Sequence, residues 1–252
     1  MDPESRPSAG KRVAILQSNY IPWKGYFDII ASVDEFILFD DAQYTRSDWR
    51  NRNKIKTAAG TAWLTIPVRI KGRLGQRIRE TEISSANWAA EHWKSIRQNY
   101  SKAAYFKEYG PTIEEWFVSA TAPMLSDVNC HFLKSICDLL GVRTKITKSE
   151  DYELCEGKTE RLVSLCRQAG ASSYLSGPAA ADYIEPELFE AAAIELRYVD
   201  YSGYPEYRQL YPPFDHAVTI LDLLFNEGPD AAQFMKSGPQ LQPAGSPPPL
   251  IR

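Results

Sequence analysis

The sequence predicts an α/β fold in which a mostly parallel sheet is flanked by helices. Short apolar runs, of the length typical of buried strands, alternate with segments whose apolar residues recur at helical spacing. The first two apolar runs are separated by one short helical segment, which favours a βαβ unit with parallel strands. A hydrophobic fraction of 44% with 12% aromatic residues is enough to build a sizeable core.

The first elements follow this pattern. Residues 13–16 (VAIL) form a short apolar run and predict a buried strand. Residues 26–31 carry apolar side chains at helical spacing, and residues 35–39 (EFILF) predict a second strand. This second strand runs directly into the adjacent carboxylates of Asp40 and Asp41.

The remaining elements are predicted from periodicity and from residues that end helices. Residues 63–68 (WLTIPV) predict a strand, with Pro67 near an edge or strand end because proline cannot donate a ladder hydrogen bond. Gly141 and Gly170 follow helical segments and are typical of helix ends. We predict helices at 87–100, 111–119, 127–140, 158–170, 186–192 and 216–225, and strands at 145–147, 174–175 and 194–199.

We predict a single α/β domain over residues 12–228, with a more helical middle and C-terminal part. Residues 1–11 are polar, typical of a flexible leader, and lack the apolar segment of a signal peptide. Residues 229–252 contain a Pro-Pro-Pro run and few large apolar residues, typical of a disordered tail. Since no apolar run approaches the roughly 20 residues that cross a bilayer, we expect a cytoplasmic protein without a membrane span.

The overall charge argues against recruitment to nucleic acid or to an anionic membrane by bulk electrostatics. The net charge is −3 at pH 7, and the isoelectric point is about 5.7. An anion site must therefore come from a local cluster of residues. The four cysteines have no CxxC spacing and no HExxH partner, so we expect free thiols and no metal site.

Polar segments follow three of the predicted strands, and ligands of open α/β sheets bind beyond the carboxyl ends of strands. The segment after the first strand offers polar side chains and the amides of a following helix to an anionic group. A turn that merely needs proline and glycine, covered by its aromatic residues, is the alternative. The candidate binding residues are Gln17, Asn19, Tyr20, Trp23 and Lys24.

The second segment begins at Asp40 and Asp41, whose carboxylates can accept an amine proton, bind sugar hydroxyls or hold Mg²⁺. Five basic residues follow within residues 46–56. Guanidinium groups suit bidentate contacts with phosphates, and Trp49 can stack on a base or sugar. A solvated basic loop is the alternative. The candidate binding residues are Tyr44, Trp49, Arg50, Asn51, Arg52, Asn53 and Lys54.

The third segment follows the strand at 174–175, where Ser176 and Gly177 can let a ligand approach the backbone or simply form a tight turn. Of the three histidines, His92 is the candidate acid–base residue because histidine titrates near neutral pH, and a structural role is its alternative. The sequence has no GxSxG, Walker or GxGxxG motif, which argues against serine hydrolases, P-loop proteins and dinucleotide-binding Rossmann proteins.

Several strings together resemble the WbqC-like family. They are QSNYIPWKGYFDII (17–30), FDDAQYTRSDWRNRNKIKT (39–57), WLTIPV (63–68), KTERL (158–162), YLSGP (174–178) and ILDLLFN (220–226). The resemblance implies a place in the synthesis of O-antigen and related surface glycans, where the family's genes often lie near those for dTDP-linked amino sugars. It further implies modification of a sugar nucleotide, such as attachment of glycine or another acyl group to an amino sugar.

The order of strand, Pro-x-x-Gly loop, helix and strand is also similar to the first βαβ unit of pantothenate synthetase and related HIGH-type nucleotidyltransferases. This similarity implies a Rossmann-like N-terminal half, with Lys24 and the loop at Ser176 and Gly177 facing phosphates. Those enzymes use ATP and two histidines flanking a glycine, whereas residues 23–26 here are WKGY. ATP and Mg²⁺ therefore stay open as cofactors.

We predict a transferase that forms an amide on a nucleotide-linked, dTDP-type amino sugar. Asp40 or Asp41 would accept the proton of the amine, and the basic segment would hold the diphosphate. A non-catalytic protein that binds a sugar nucleotide or glycan within a biosynthetic complex is one alternative, and an ATP-dependent adenylating ligase is another. Nucleic acid is not an expected partner.

Overall fold

The computed structural model describes residues 10–237, and it has the α/β fold that the sequence predicts. The strands are β1 (Arg12–Leu16), β2 (Glu35–Leu38), β3 (Arg52–Thr57), β4 (Gly60–Thr65), β5 (Lys145–Lys148), β6 (Ser173–Ser176) and β7 (Glu195–Tyr198). The α-helices are α1 (Lys24–Ala31), α2 (Trp88–Tyr100), α3 (Phe106–Ser119), α4 (Leu125–Leu140), α5 (Thr159–Gln168), α6 (Pro186–Ala191) and α7 (Ile220–Glu227). Short 3-10 helices occur at Ile78–Glu80, Ser149–Asp151, Pro178–Asp182 and Gly228–Phe234.

The chain groups into two compact units, each built from separate segments. The first unit contains residues 10–16, Ser32–Phe39 and Thr144–Asp200, and the second contains Gln17–Ala31, Asp40–Arg143 and residues 201–237. The prediction of one domain over residues 12–228 stays a prediction.

A parallel sheet forms the centre of the first unit. Within the described residues its strands pair in the order β5-β2-β1-β6-β7, and each pairing is parallel. Val13 of β1 and Leu165 of α5 are fully buried in one apolar cluster with the strands. Tyr174 of β6 stacks on Phe189 of α6, with ring centroids 5.2 Å apart and planes 5° from parallel. The central strands β1 and β2 are largely apolar, as a parallel sheet covered by helices requires.

Glu35 is a buried carboxylate at the start of β2 in the first unit. It accepts hydrogen bonds from the Lys11 ammonium at 2.6 Å, the Tyr152 hydroxyl at 2.5 Å and the Thr147 hydroxyl at 3.0 Å. The Lys145 ammonium lies 3.0 Å away. Burial favours the neutral acid, but these donors together outweigh it and lower the pKa of Glu35 to about 2.

The second unit has an aromatic core formed mainly by α2, α3 and α4. Phe117 and Phe132 lie 4.9 Å apart between ring centroids, and Trp88 contacts both. Trp93 stacks on Phe106 at 5.9 Å with planes 10° apart. The antiparallel hairpin β3–β4 belongs to the same unit.

Several boundaries differ from the predicted ones for identifiable reasons. Helix α3 begins five residues before Pro111, which is accommodated inside the helix. Helix α7 begins at Ile220 rather than at residue 216, because the Thr219 hydroxyl caps it by accepting the Leu221 N–H. Strand β4 starts earlier and ends at Thr65, before Pro67. Strand β3 was not predicted, since its sequence RNKIKT is mostly polar.

Residues 229–237, predicted as the start of a disordered tail, are folded. Gly228–Phe234 is a 3-10 helix with Ala231 and Ala232 buried. The Asp28 carboxylate of α1 accepts the backbone N–H groups of Lys236 at 3.0 Å and Ser237 at 2.9 Å. Ordering this segment costs conformational entropy, and its proline-rich composition therefore predicted disorder. The contacts above offset that cost. The rest of the tail and leader residues 1–9 lie outside the described residues. No helix in the described part of the chain is long and apolar enough to cross a membrane.

Candidate functional site

A cavity of about 340 Å³ in the second unit is the candidate functional site. Its walls are mainly aromatic and apolar, and its polar groups are two amides and an imidazole. Small-molecule sites usually measure about 300–1,000 Å³, so this cavity suits one ring-sized part of a ligand. The lining residues are Asn19, Pro22, Trp23, Trp49, Asn53, His216 and Ala217.

Asn53 fixes the loop that forms one wall of the cavity. Its buried side-chain amide donates to the carbonyls of Tyr20 at 3.2 Å and Ile21 at 2.7 Å. The Tyr20 N–H in turn donates to the Trp49 carbonyl at 3.0 Å. Ile21 has a φ of 39°, a left-handed conformation rare for a β-branched residue, and these bonds hold it there.

Gly25 is required by the position of Trp23, another wall of the cavity. A Cβ atom at Gly25 would lie only 2.3 Å from the Trp23 ring. The Trp23 ring also packs edge-on against Tyr201 and Tyr204, with centroids 5.3 Å away in each case. The Pro-x-x-Gly sequence therefore shapes the cavity as well as the turn.

Arg50 joins two of the predicted binding segments. Its guanidinium donates to the side-chain oxygens of Asn19 and Gln17. Asp48 lies 3.8 Å from the Arg50 Nε atom. Arg50 therefore orients Asn19 at the cavity, and much of its own hydrogen-bonding capacity is already used.

The β3–β4 hairpin presents a second group of aromatic and cationic side chains. Trp49 and Trp63 are 40% and 45% exposed, and their rings lie 5.4 Å apart. The Arg52 guanidinium lies 4.2 Å from the centre of the Trp63 ring, and the Lys54 ammonium lies 5.8 Å from it. This aromatic and cationic cluster adjoins the cavity through Trp49.

His216 is the titratable residue among those that line the cavity. Its Nδ1 atom is buried and makes no hydrogen bond within the described residues. Burial and the nearby Lys24 ammonium lower the pKa of His216, while Glu206 and Asp215 act in the opposite direction. The shift favours the neutral imidazole.

Asp222 of α7 anchors the segment that carries His216. Its fully buried carboxylate accepts the hydroxyl groups of Tyr100 at 2.9 Å and Tyr207 at 2.8 Å, and the Gln209 amide at 2.9 Å. The Gln209 amide also donates to the Asp215 carbonyl at 2.8 Å and accepts the Asp215 N–H at 2.9 Å. The residue before His216 is thus tied to a helix of the core.

Lys24 is buried in the first turn of α1 rather than open to a ligand. Its ammonium donates to the Pro205 carbonyl at 2.7 Å and lies about 5 Å from the rings of Tyr204 and Tyr207. Burial lowers the pKa of Lys24 to about 8, against the opposing charge of Asp28. The phosphate contact predicted for Lys24 stays a prediction.

The two candidate aspartates already have strong partners. One oxygen of the Asp40 carboxylate accepts the Ser18 N–H at 2.8 Å and the other accepts the Ser126 hydroxyl. Burial raises the pKa of Asp40 despite these donors. Asp41 forms ion pairs with Arg77 at 2.9 Å and Arg79 at 2.8 Å. These contacts favour structural roles for both carboxylates.

His92 is buried with both ring nitrogens occupied. Nε2 donates to the Thr65 carbonyl at 3.2 Å, so Nδ1 accepts the Tyr20 hydroxyl at 2.8 Å. Burial lowers the pKa of His92 to about 4. This geometry favours the structural alternative for His92, and it makes Tyr20 part of the core.

The other predicted site residues lie apart from the cavity lining. Tyr44 is buried beside a second, more polar cavity of about 360 Å³ that also involves Arg46 and Arg73. Asn51 is buried, and its amide donates to the Ile66 carbonyl at 2.8 Å. Ser176 and Gly177 belong to the first unit, where Ser176 ends β6.

Trp63 and His216, besides the apolar lining residues Pro22 and Ala217, were missed by the sequence analysis. Trp63 was placed in a strand but not in the site, although an exposed tryptophan opposite a lysine on a hairpin would have indicated it. No local pattern singles out His216, whose place in the cavity depends on the packing of the segment before α7.

The chain is an α/β protein, and the cavity lined by tryptophan rings and amides is a candidate small-molecule site. The chain belongs to the WbqC-like protein family, whose model matches residues 17–234, and the predicted resemblance is confirmed. It is 50% identical over 226 residues to the uncharacterized protein Rv1507c of Mycobacterium tuberculosis. The aligned region covers 90% of this chain and 98% of the relative. No solved structure matches the chain. The similarity to HIGH-type nucleotidyltransferases stays a prediction.

Proposed function

We propose that this protein forms an amide on a nucleotide-linked amino sugar, of the dTDP type, in surface-polysaccharide synthesis. The cavity of the second unit binds this substrate. The observation that carries the proposal is an aromatic cavity that contains the Asn19 amide and the His216 imidazole, next to half-buried cations on the β3–β4 hairpin. Family membership supports the choice of substrate class.

The binding chemistry follows from the residues at the cavity. Tryptophan rings pack against the flat faces of nucleobases and the apolar faces of sugars. The Asn19 amide lines the cavity, where a hydroxyl or carbonyl of the ligand can meet it, whereas the Asn53 amide is engaged by the backbone and shapes the wall. Arg52 makes no ion pair within the described residues, which leaves its charge available for a phosphate.

Amide formation requires the amine of the sugar to be uncharged. The ammonium first releases one proton, and the nitrogen lone pair then bonds to the acyl carbon. The leaving group of an activated acyl donor departs with the electrons of its bond to that carbon, and the nitrogen gives up a second proton, to the leaving group or to water, to form the neutral amide. Because Asp40 and Asp41 are engaged by other residues, the neutral imidazole of His216 is the better proton acceptor at the cavity.

A thermal-shift screen tests the ligand class. Purified protein is mixed with dTDP, UDP, GDP, CDP, ATP and available sugar conjugates, each with and without Mg²⁺. A ligand present at a hundredfold excess over Kd stabilises the folded state by about 2.7 kcal/mol. We expect the largest shift with a dTDP- or UDP-linked amino sugar and a smaller one in Arg52→Ala. Shifts with none of these nucleotides would refute the proposal.

A non-catalytic sugar-nucleotide-binding protein is the second candidate, because Asp40, Asp41 and His92 all have internal partners. Mass spectrometry separates the two functions. The amino-sugar nucleotide that gives the largest shift is incubated with protein and with glycyl and acetyl donors, activated as thioesters or supplied with ATP. An increase in mass equal to the acyl group supports the transferase. Tight binding without any product supports the binding protein.

A further inference from the structure

The exposed face of the β3–β4 hairpin has the features of a second binding subsite. We infer that Trp63, Arg52 and Lys54 bind the nucleoside diphosphate part of a sugar nucleotide, while the adjoining cavity holds the sugar. This inference rests on the proposed function and adds the orientation of the substrate, together with a residue, Trp63, that the sequence did not indicate as part of the site.

The three side chains share one face of the hairpin. Arg52 and Lys54 are two residues apart on β3, so they point to the same side, and Lys54 is paired directly with Trp63 of β4. The alternate residues Asn53 and Ile55 are buried on the other side. The hairpin therefore has one face for the core and one face that presents a ring and two cations, although Lys56, further along this second face, is buried.

Trp63 is an unusual residue to leave in solvent without a function. Its side chain is 45% exposed, and it contacts Trp49, which is 40% exposed. A nucleobase that stacks on such a ring typically contributes about 1–3 kcal/mol to binding. This holds for any base, because every base has a flat aromatic face. Exposed paired tryptophans beside cations suit a flat ring that carries negative charge.

The charge balance of this face favours an anion. The Arg52 guanidinium bonds to a neutral acceptor, the Ser47 carbonyl, and the Lys54 ammonium lies 3.7 Å from the Asp215 carboxylate. Asp48 also interacts with Arg52 and with Arg50. The three cations Arg50, Arg52 and Lys54 therefore face the two carboxylates of Asp48 and Asp215, which leaves about one positive charge in a protein whose net charge is −3. This charge attracts a diphosphate, whereas a neutral glycan has no net charge to be attracted by it.

Two contacts connect the hairpin face to the cavity. Trp49 lines the cavity and touches Trp63. Lys54 approaches Asp215, the neighbour in sequence of the cavity residue His216. A ligand that lies on the hairpin can thus extend into the cavity without crossing another element of the unit.

Size and chemistry decide which end of the ligand enters the cavity. A volume of about 340 Å³ is at the low end for small-molecule sites and suits a single ring better than a whole nucleotide sugar. The reacting amine needs surroundings from which water is largely excluded, and it needs a proton acceptor. The apolar walls of the cavity and His216 come closer to these requirements than the hairpin face does, where Trp63 is 45% exposed.

Calorimetric titration of four variants tests the orientation. The ligands are dTDP and a dTDP-linked amino sugar, and the variants are Trp63→Leu, Arg52→Gln, His216→Gln and, as control, Lys71→Gln, an exposed cation of the same unit outside the hairpin. We expect Trp63→Leu and Arg52→Gln to lower the affinity for both ligands by a similar factor, about tenfold. His216→Gln should weaken only the sugar conjugate, and the control should match the wild type. Unfolding curves verify that each variant is folded.

Each other result overturns a defined part of the account. If the hairpin variants bind dTDP as the wild type does while the sugar conjugate still binds, the hairpin subsite is wrong and the proposed function stands. If Trp63→Leu weakens the conjugate but not dTDP, the orientation is reversed. If the wild type binds neither ligand, the proposed function itself fails.

Discussion

Gly25→Ala is a substitution whose effect on the cavity can be worked out from the structure. The new Cβ would lie 2.3 Å from the Trp23 ring, with two further ring atoms at 2.6 and 2.8 Å. Carbon atoms normally approach to about 3.5–4.0 Å, so the indole must move by about 1 Å or more. Trp23 is confined by Tyr201 and Tyr204, which prevents an easy displacement.

Two opposing effects set the stability of this variant. Overpacking of this kind costs about 1–3 kcal/mol. Alanine gains about 1 kcal/mol over glycine inside a helix, and Gly25 lies in the first turn of α1, where this gain is smaller. We expect a net loss of about 1 kcal/mol in the free energy of unfolding. A displaced Trp23 also changes a wall of the cavity, so we expect ligand affinity to fall at least tenfold.

Gly110→Ala is the matched control. Gly110 lies inside α3 of the same unit, and its Cβ would meet the Phe106 ring at 3.3 Å, a contact that a small adjustment relieves. This variant should be as stable as the wild type or slightly more stable, with unchanged binding. Urea unfolding measures stability, and titration with the nucleotide sugar measures affinity. If Gly25→Ala matches Gly110→Ala in both, Trp23 does not shape the site as described.

Three further predictions concern groups away from the ligand. Replacing Glu35 by Gln should cost about 1–2 kcal/mol at pH 7, less than the full pKa shift implies because both lysine partners are partly exposed. Since the folded pKa of Glu35 is lowered, to about 2, this difference should be present above the ordinary carboxylate pKa and disappear as the pH falls toward 2. Urea unfolding from pH 7 to pH 2.5 measures it, with the exposed Glu195→Gln as control, and a difference independent of pH would contradict the assignment. His92 has a folded pKa of about 4, so the wild type should lose stability as the pH falls from about 6.5 to 4, and His92→Gln should lose less over that range. An NMR titration in which His92 protonates near pH 6.5 would show that its environment is different. Asp222→Leu should cost about 3 kcal/mol, because it leaves the buried hydroxyls of Tyr100 and Tyr207 without their acceptor and removes one bond of the half-buried Gln209 amide. Unfolding measurements that show a loss below 1 kcal/mol would mean that this network contributes little.

The fold was predictable because the signals for its central strands are local. The apolar runs that became β1 and β2 are bounded by polar residues, and their parallel pairing follows from the short connection between them. Strand β3 was missed because its buried residues alternate with long cationic side chains. Buried Lys56, whose ammonium donates to the Pro213 carbonyl, further breaks the expected alternation.

The site was predictable only where its residues are close in sequence. Asn19, Trp23, Trp49 and Asn53 come from the two segments that the sequence marked as candidates, and they do line one cavity. The partners that engage the other candidates come from elsewhere in the chain. Asp40, for example, accepts a hydrogen bond from Ser126, which lies 86 residues away. Such a contact cannot be predicted from the spacing of residues in the sequence.

The central claim is that the cavity of the second unit binds a nucleotide-linked amino sugar. Calorimetric titration of a dTDP-linked amino sugar into the wild type and into Trp49→Ala tests it most directly, because Trp49 lines the cavity and is exposed enough to be replaced without disturbing the core. The account predicts saturable binding to the wild type and affinity at least tenfold weaker in the variant. Equal affinity in the two proteins, or no binding to the wild type, would contradict it.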